Sequence, residues 1–422
     1  MEKINSLTGM LDLISNKSDN SELANKIFLT EKHLKNIFQN YGMSEIRTPA
    51  LEDTNLFKRS VGDASDIVNK ELYSFNDKND KNIVLRPEGT AGVIRAIIQK
   101  KIDLEVHKFW YMGPMWRYER PQKGRYRQFY QAGVEILGHH EGLPEFEMIS
   151  LVCSINQYLQ IDKPIIKINH LGDNKIKELY CEDLVKYLSP LKSKLDEKDQ
   201  NRLKKNPLRI LDSKSETTQN ILKDAPKINN YISNSSKMLL DEIIKTFSSE
   251  CSIQIDSSLV RGLDYYTGFV FEAISDDLGA QNAYLGGGRY DNLCSQLGGK
   301  NLPAIGMAIG LERLSILVNA EEASNKLLSF IILSEKINPK AYKIAHDLRL
   351  LNENVKIDIQ LSEGSLKSKL RRASKDNADY ALILGDQELE SETVIVKSLK
   401  ESNSEQKSMS IDELNGFIST IS

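Results

Sequence analysis

Residues 110–138 read WYMGPMWRYERPQKGRYRQFYQAGVEILG. This is two strand-like runs joined by an arginine-rich loop. The second run, 129–136, alternates. At a side-chain period of two, Tyr130, Ala132, Val134 and Ile136 share one face, and Phe129, Gln131, Gly133 and Glu135 share the other. The first set reads as a core face. The second holds an aromatic ring, an amide, a gap and a carboxylate, within a segment apolar enough to be buried. A buried carboxylate needs a partner, from the protein or from a ligand. The competing reading is a strand with one face in solvent. Arg117 and Glu119, two apart, share a face on the first strand-like run. Arg120, Lys123, Arg125 and Arg127 crowd the joining loop, which Pro121 and Gly124 bend. A basic loop beside a strand-borne arginine suits a polyanion, such as a nucleoside triphosphate or an RNA end. A solvated hairpin tip would look the same.

Working outward, residues 19–41 have the pattern of a helix. Asp19 can cap it, Glu22 follows three residues later, and Gly42 can stop it. Leu23, Ile27, Leu34 and Phe38 form its apolar stripe. The extended stretch SEIRTPALE follows, and its Pro49 suits an edge or interface strand. Strand-like runs recur at 82–86, 108–112, 129–137, 164–169, 259–273 and 304–309. They mix with helices without a βαβ alternation, which predicts an α+β fold on a largely antiparallel sheet. Residues 172–250 are charged, helical in pattern and poor in glycine, so they read as a helical insertion. From residue 326 to 422, strands alternate with helices, which predicts a separate α/β domain with a mixed or parallel sheet. The first domain therefore spans 1–325, interrupted by 172–250.

Other segments offer polar groups in apolar settings. RPEGTAG, 86–92, presents Glu88, Gly89 and Thr90 in a turn; a carboxylate beside a hydroxyl suits an ammonium group, and a capped helix start suits it equally. LVRGLDYYTG, 259–268, puts Arg261, Asp264, Tyr265 and Tyr266 between apolar flanks, as a lined pocket would. LGGGRYDNL, 285–293, lacks the Lys-Ser/Thr of a P-loop and the spacing of a dinucleotide fingerprint. Close backbone packing explains its glycines better, with Tyr290 facing the same cleft. In AIGMAIGLERL, 304–314, Arg313 falls in the first turn of a helix, where a cation opposes the helix dipole and an anionic ligand would relieve it.

Composition bounds the rest. The chain has 422 residues, 40% hydrophobic and 27% charged, with a net charge of −3. That is globular composition, long enough for two or three domains. Nucleic-acid binding would have to come from local basic patches. No apolar run approaches a membrane span, and the N-terminus carries no export signal, so a cytoplasmic protein without a membrane is expected. The four cysteines are far apart and read as reduced thiols. His139 and His140, adjacent in a strand, point to opposite faces, so no metal held by a protein cluster is expected.

Taken together, the motifs resemble histidyl-tRNA synthetases of the bacterial type, which are class II aminoacyl-tRNA synthetases. YGMSEIRTP looks like motif 1, the opening hairpin like motif 2, and AIGMAIGLERL like motif 3. RGLDYYTG and GGGRYD look like the two histidine-specific signatures. The resemblance covers nearly the whole chain and departs little; Trp116 stands where Phe is usual. It implies activation of L-histidine by ATP and transfer to tRNA(His), by a homodimer with Pro49 at its interface and Mg2+ bound along with the ATP phosphates. Glu88, Thr90 and Gln131 would hold the α-amino group, with Gly89 in the same turn. Glu135 and Tyr266 would bracket the imidazole, and Tyr265 and Tyr290 would complete the pocket. Arg117 would contact the α-phosphate and the histidine carboxylate, Glu119 the adenine, and Phe129 would stack on it. Arg125 and Arg313 would meet the outer phosphates. Arg261 would be the catalytic arginine beside the histidine, standing where other class II enzymes place a metal ion.

The resemblance also implies tRNA contacts. Arg120 and Gln122 would read the extra 5′ guanosine of histidine tRNA, and the insertion would clamp the acceptor arm rather than edit. The basic run Lys367, Lys369, Arg371, Arg372 and Lys375 would meet phosphates near the anticodon, although a solvated helix face fits it too. The alternative is the histidine-binding regulatory paralogue of the ATP phosphoribosyltransferase of histidine biosynthesis. That paralogue typically lacks the C-terminal domain and departs from the motif 2 loop and the catalytic arginine.

Overall fold

The computed structural model describes residues 3–15, 21–62, 65, 67–120, 124–279, 282–320, 326–352, 354–400 and 405–421. Asp19, Pro121, Gln122 and Lys123 lie outside them. The chain divides into two units, Met1–Ala320 and Glu321–Ser422.

In the first unit the strands are β1 (Ser44–Glu45), β2 (Leu51–Asp53), β3 (Tyr73–Asn76), β4 (Asn82–Leu85), β5 (His107–Trp116), β6 (Gln128–Leu137), β7 (Ile165–His170), β8 (Ser252–Ile255), β9 (Thr267–Ile274), β10 (Ala283–Arg289) and β11 (Ala304–Gly310). Among the described residues, eight of them form one sheet in the order β1-β5-β6-β11-β10-β9-β7-β8. Its inner strands are antiparallel neighbours, and β1 and β8 add parallel pairs at the two edges. β2, β4 and β3 make a small antiparallel sheet beside it. This is the α+β class that the strand pattern predicts.

Helices α1 (Ser21–Asn40), α2 (Thr54–Val61), α3 (Thr90–Lys100) and α4 (Leu143–Tyr158) precede or interleave these strands. α1 buries Ile27, Leu34 and Phe38 at helical spacing, and Gly42, at φ +69°, turns the chain out of it. Ala132, Val134 and Ile136 of β6 join one core with Leu34 and Phe38 of α1 and Ile149 and Val152 of α4. The opposite face of β6 is also covered: Gln131 is 6% exposed and Glu135 fully buried. A strand with one face in solvent is thereby excluded.

The segment between β7 and β8 contains α5 (Asn174–Leu188), α6 (Glu197–Lys205), α7 (Glu216–Leu222) and α8 (Asn234–Phe247). β7 and β8 are parallel neighbours, and parallel strands need a crossover. Here the helical segment is that crossover. α9 (Leu293–Gln296) and α10 (Leu311–Leu317) complete the unit.

The second unit runs β12 (Leu327–Ile332), α11 (Asn338–Leu351), β13 (Lys356–Ile359), α12 (Leu366–Lys375), β14 (Tyr380–Leu384), α13 (Asp386–Glu390), β15 (Thr393–Ser398), β16 (Lys407–Ser410) and α14 (Ile411–Ile421). Its sheet, β13-β12-β14-β15-β16, is parallel over the first three strands and antiparallel over the rest.

Several expectations need correction. The run 259–273 is not one strand: β9 starts at Thr267, and 259–266 is irregular. Its polar and charged residues are bonded to other parts of the fold and not to a ladder. Arg117 and Glu119 lie just past the end of β5, although Arg117 N still donates to Arg127 O at 2.9 Å. α4 packs on α8 and brings Cys153 beside Cys251, 98 residues away in sequence, while Cys181 and Cys294 stand apart from that pair. Lys369, read as one of a run of exposed cations, is buried, and its Nζ donates to Ile332 O at 2.6 Å.

One buried ion pair ties α4 to β10. Arg289, 2% exposed, donates from Nε to Glu145 Oε1 at 2.7 Å, and Glu145 also accepts Gly142 N–H at 2.6 Å to cap α4. Removing one member strands a charge in the interior. Arg289→Met should therefore cost about 3–5 kcal/mol in urea unfolding, while Arg289→Met with Glu145→Leu should recover much of that loss. Equal losses in the single and double variants would show that the stranded charge is not the cause.

Candidate active site

The site begins with the sheet register. Directly paired residues in an antiparallel ladder present side chains on the same face. Gly133 of β6 pairs with Ala308 of β11, Ala308 with Gly286 of β10, and Gly286 with Glu272 of β9. Three residues with little or no side chain thus lie in a row. Tyr111 covers Gly133, so the open trough runs over Ala308 and Gly286, ~10 Å at the usual strand spacing. A cleft of about 260 Å³ stands over it. Its walls come from the 88–90 turn, the 117–129 hairpin, the 261–266 loop and the start of α10.

At one end the polar groups are deeply buried. Glu88 accepts the backbone N–H of Thr90 at 2.7 Å and of Ala91 at 2.9 Å, so it caps α3 while lining the cleft. The two readings of this turn, capped helix start and ligand site, are compatible in one carboxylate. Gly89 N–H donates to Gln131 Oε1 at 3.2 Å and orients that amide. Glu135 accepts from Thr90 Oγ1 at 2.7 Å and from the Tyr290 hydroxyl. Both donors are neutral, and no cation meets Glu135 among its hydrogen-bond partners. Burial pushes its pKa up to about 8 against the pull of those two bonds. Gly306, paired with Glu135 across the ladder, leaves room for the carboxylate; a Cβ there would fall 2.8 Å from its carbon. Gly89, Glu135 and Tyr290 lie behind the wall of the cleft. Glu88, Thr90, Gln131, Tyr265 and Tyr266 are on it.

The same cleft is lined by Arg117, Arg125, Arg261 and Arg313. Arg117 Nε donates to Pro87 O at 2.9 Å, which fastens the 88–90 turn to the hairpin, and its guanidinium lies 5.2 Å from the Phe129 ring centre. Arg125 pairs with Glu119 at 2.8 Å. Arg313 donates to Ala283 O at 2.9 Å. Burial and the nearby positive charge of Arg125 lower its pKa. An anion placed between the two arginines would relieve that repulsion. Arg261 pairs with Glu272 at 2.5 Å over Gly286, the glycine of the trough that gives it space. Burial opposes the charge of Arg261, but Glu272 and Tyr266 outweigh it and its pKa is raised.

The sequence reading missed three residues. Glu272, the counterion of Arg261, is the lone carboxylate in the apolar run TGFVFEAI, and that isolation was a usable signal. Glu312 lines the cleft, accepts Tyr130 N–H at 2.8 Å, and is pushed up to about 7 by burial. Tyr111 stands opposite Gly133 in the hairpin register, and its ring fills the space that a Cβ on Gly89 or Gly133 would need. Continuing the alternation into the first run of the hairpin would have found it. Arg120 is exposed and off the cleft.

Residues 20–314 match the family described as histidyl-tRNA synthetase, and residues 328–421 match an anticodon binding domain. The chain is similar to the histidine--tRNA ligase of Francisella philomiragia subsp. philomiragia, 40% identical over 429 residues and covering 100% of both. It is similar to that of Picosynechococcus sp., 44% identical over 362 residues and covering 84% of each. Among solved structures it is similar to apo histidyl-tRNA synthetase of S. aureus, 29% identical, with a TM-score of 0.78 over 99% of this chain and 100% of that one.

Glu135 makes a pH-dependent contribution to stability. Between the ordinary carboxyl value of 4.5 and about 8, the folded chain keeps a proton that the unfolded chain has released. Stability from this group is therefore full below 4.5 and is lost as pH rises towards 8. Thermal melting of the parent chain and of Glu135→Gln from pH 5 to 9 should show the parent losing ground to the variant up to about pH 8 and levelling off above it. A difference independent of pH would mean that Glu135 is already ionised in the folded protein.

Proposed function

The chain belongs to the histidyl-tRNA synthetase family, and from that membership we propose a role for each group around the trough. It is an ATP-dependent ligase of protein biosynthesis that joins histidine to tRNA(His). The single observation that supports the assignment of roles is the lining of one cleft, in which Glu88, Thr90, Gln131 and Tyr266 stand together with Arg117, Arg125, Arg261 and Arg313.

In this reading the amino acid lies at the Glu135 end. Glu88, Thr90 and Gln131 hold its ammonium group, with Gly89 keeping Gln131 in place. Glu135 and Tyr266 meet the imidazole, and Tyr265 and Tyr290 close the pocket around it. ATP lies towards the arginines, with Phe129 under the adenine, Glu119 at its edge, and Arg125 and Arg313 at the outer phosphates. The histidine carboxylate attacks the α-phosphorus and pyrophosphate leaves. Negative charge grows on the phosphoryl oxygens in the transition state, where preorganised Arg117 and Arg261 stabilise it. No side-chain nucleophile is required. The 3′-terminal ribose hydroxyl of the tRNA then attacks the adenylate.

Magnesium would arrive with the ATP phosphates. Among the described residues no three His, Cys, Asp or Glu side chains gather to hold an ion, and two carboxylates of the cleft, Glu119 and Glu272, are already paired with Arg125 and Arg261. A polar pocket that hydrogen-bonds the imidazole rejects analogues lacking those groups by roughly 10⁴ or more, so no editing site is needed. The helical segment 172–250 then serves as a clamp on the tRNA acceptor arm, Arg120 and Gln122 as readers of the extra 5′ guanosine, and Lys367, Arg371, Arg372 and Lys375 as phosphate contacts of the second unit. Homodimerisation and a cytoplasmic location belong to the same reading. No helix among the described residues is long and apolar enough to cross a membrane. The regulatory paralogue of the phosphoribosyltransferase is the weaker alternative: residues 328–421 match an anticodon binding domain, and Arg117, Arg261 and Arg313 line one cleft.

Histidine-dependent ATP–pyrophosphate exchange, followed by charging of tRNA, tests the reading, and an absence of exchange with histidine would sink it. Arg261→His should lower exchange by roughly 10² or more while leaving histidine binding largely intact. Glu135→Ala should instead weaken histidine binding itself, measured by calorimetry. Small and equal effects of the two would argue against this division of labour.

A further inference from the structure

Residues 259–266 carry Arg261, Tyr265 and Tyr266, yet belong to no helix or strand. Irregular backbone has no ladder of its own, so contacts from elsewhere must hold it. Three of them come from the helical segment between β7 and β8. Arg209, in the 3-10 turn Pro207–Ile210 after α6, donates from Nη2 to Gly262 O at 2.6 Å and to Asp264 Oδ1 at 3.0 Å. Asn206 Nδ2 donates to the same carboxylate oxygen at 2.8 Å. Lys177 of α5 donates from Nζ to Tyr266 O at 3.1 Å. On its other side Asp264 rests against Gly62, where a Cβ would fall 2.7 Å from Oδ2.

These contacts all land on the residues just after Arg261. One bond reaches Gly262, next in the chain; three share Asp264 Oδ1, two of them from Arg209; one reaches Tyr266. Arg261 pairs with Glu272 through Nη1 and has no hydrogen-bond partner at Nε, so its placement leans on the loop backbone. The Arg209 and Asp264 side chains are 22% and 28% exposed, so their charge-assisted bonds are sheltered from full solvent screening. Lys177, Asn206 and Arg209 themselves stay off the cleft.

We propose that Arg209, supported by Asn206 and Lys177, is a positioning residue for amino-acid activation: it grips Gly262 and Asp264 so that Arg261 is presented at the reacting phosphate. The helical segment is then part of the machinery of the first chemical step, before any tRNA is bound. This rests on Arg261 acting in the transition state.

The test uses the full chain and histidine-dependent ATP–pyrophosphate exchange. Arg209→Ala should lower kcat by about tenfold or more, because a small misplacement of a catalytic group is costly, and kcat should fall by a larger factor than the histidine KM rises. Arg209→Lys, which can pair with Asp264 without also reaching Gly262, should recover part of the loss. Lys205→Ala, an exposed cation on the same segment, should leave the rate unchanged. In an Arg261→His background, Arg209→Ala should add less than about twofold, since it acts through the missing group. Should Arg209→Ala melt well below the parent, Arg209→Lys and Asp264→Asn carry the same comparison. Rates within about twofold of the parent in these variants, or full additivity with Arg261→His, would overturn the proposal. A parent chain without exchange would instead strike at the functional reading on which it rests.

Discussion

Glu135 is a carboxylate kept wholly out of water with only two hydroxyl groups to meet it, and the rest of the site is arranged around that constraint. Gly306 must be a glycine to leave it room, Thr90 must start α3 where its hydroxyl reaches Oε1, and Tyr290 must leave β10 pointing at Oε2. A cation placed beside it would favour the ionised form. Without one, burial keeps a proton on Glu135 up to about pH 8, so near neutral pH it is a carboxyl group able both to accept and to donate a hydrogen bond. The arginines of the cleft are held differently. Arg117, Arg125 and Arg261 have carboxylate partners, and Arg117 and Arg313 also lean on backbone carbonyls. They are oriented in advance, which is what charge developing in a transition state requires.

The register across β6, β11, β10 and β9 explains how one sheet serves both ends. Ala308 and Gly286 carry little or no bulk, so the backbone itself is the floor of the cleft there. The substrates would then lie along a surface that cannot change its side-chain rotamers, because it has almost none. Tyr111, opposite Gly133 on the same face, fills the space above that glycine and closes the trough on the β6 side.

Much of this was legible in the sequence, and the limits have physical causes. The alternation in 129–136 placed Phe129, Gln131, Gly133 and Glu135 on one face, and all four do share it. Period two is a local property of a strand, so it survives without knowledge of the fold. The 259–266 segment did not read correctly, because an irregular loop held by distant side chains has no period to reveal. Arg209 and Asp264 are 55 residues apart, and nothing local marks them as partners. The Cys153–Cys251 pair fails to show for the same reason. Lys369 looked like one cation among several, yet one turn of α12 directs it under the sheet to cap a strand carbonyl. Roles tied to the family signatures came from resemblance, and spacing alone would have left the opening loop indistinguishable from a solvated tip.

The helical crossover between β7 and β8 has an evolutionary consequence. Its two ends are pinned by adjacent strands of an edge ladder, and Tyr180, Leu184, Leu208 and Ile210 within it belong to the main core, so a change of length is cheap only in the turns between its helices, about 0.6 kcal/mol for each doubling of a flexible turn. Lineages could remodel those turns and the exposed faces of the helices without disturbing the sheet. The few residues that grip the 259–266 loop would be the exception. Selection should therefore act on this region unevenly, with a handful of slow-changing positions in a background that is free to wander.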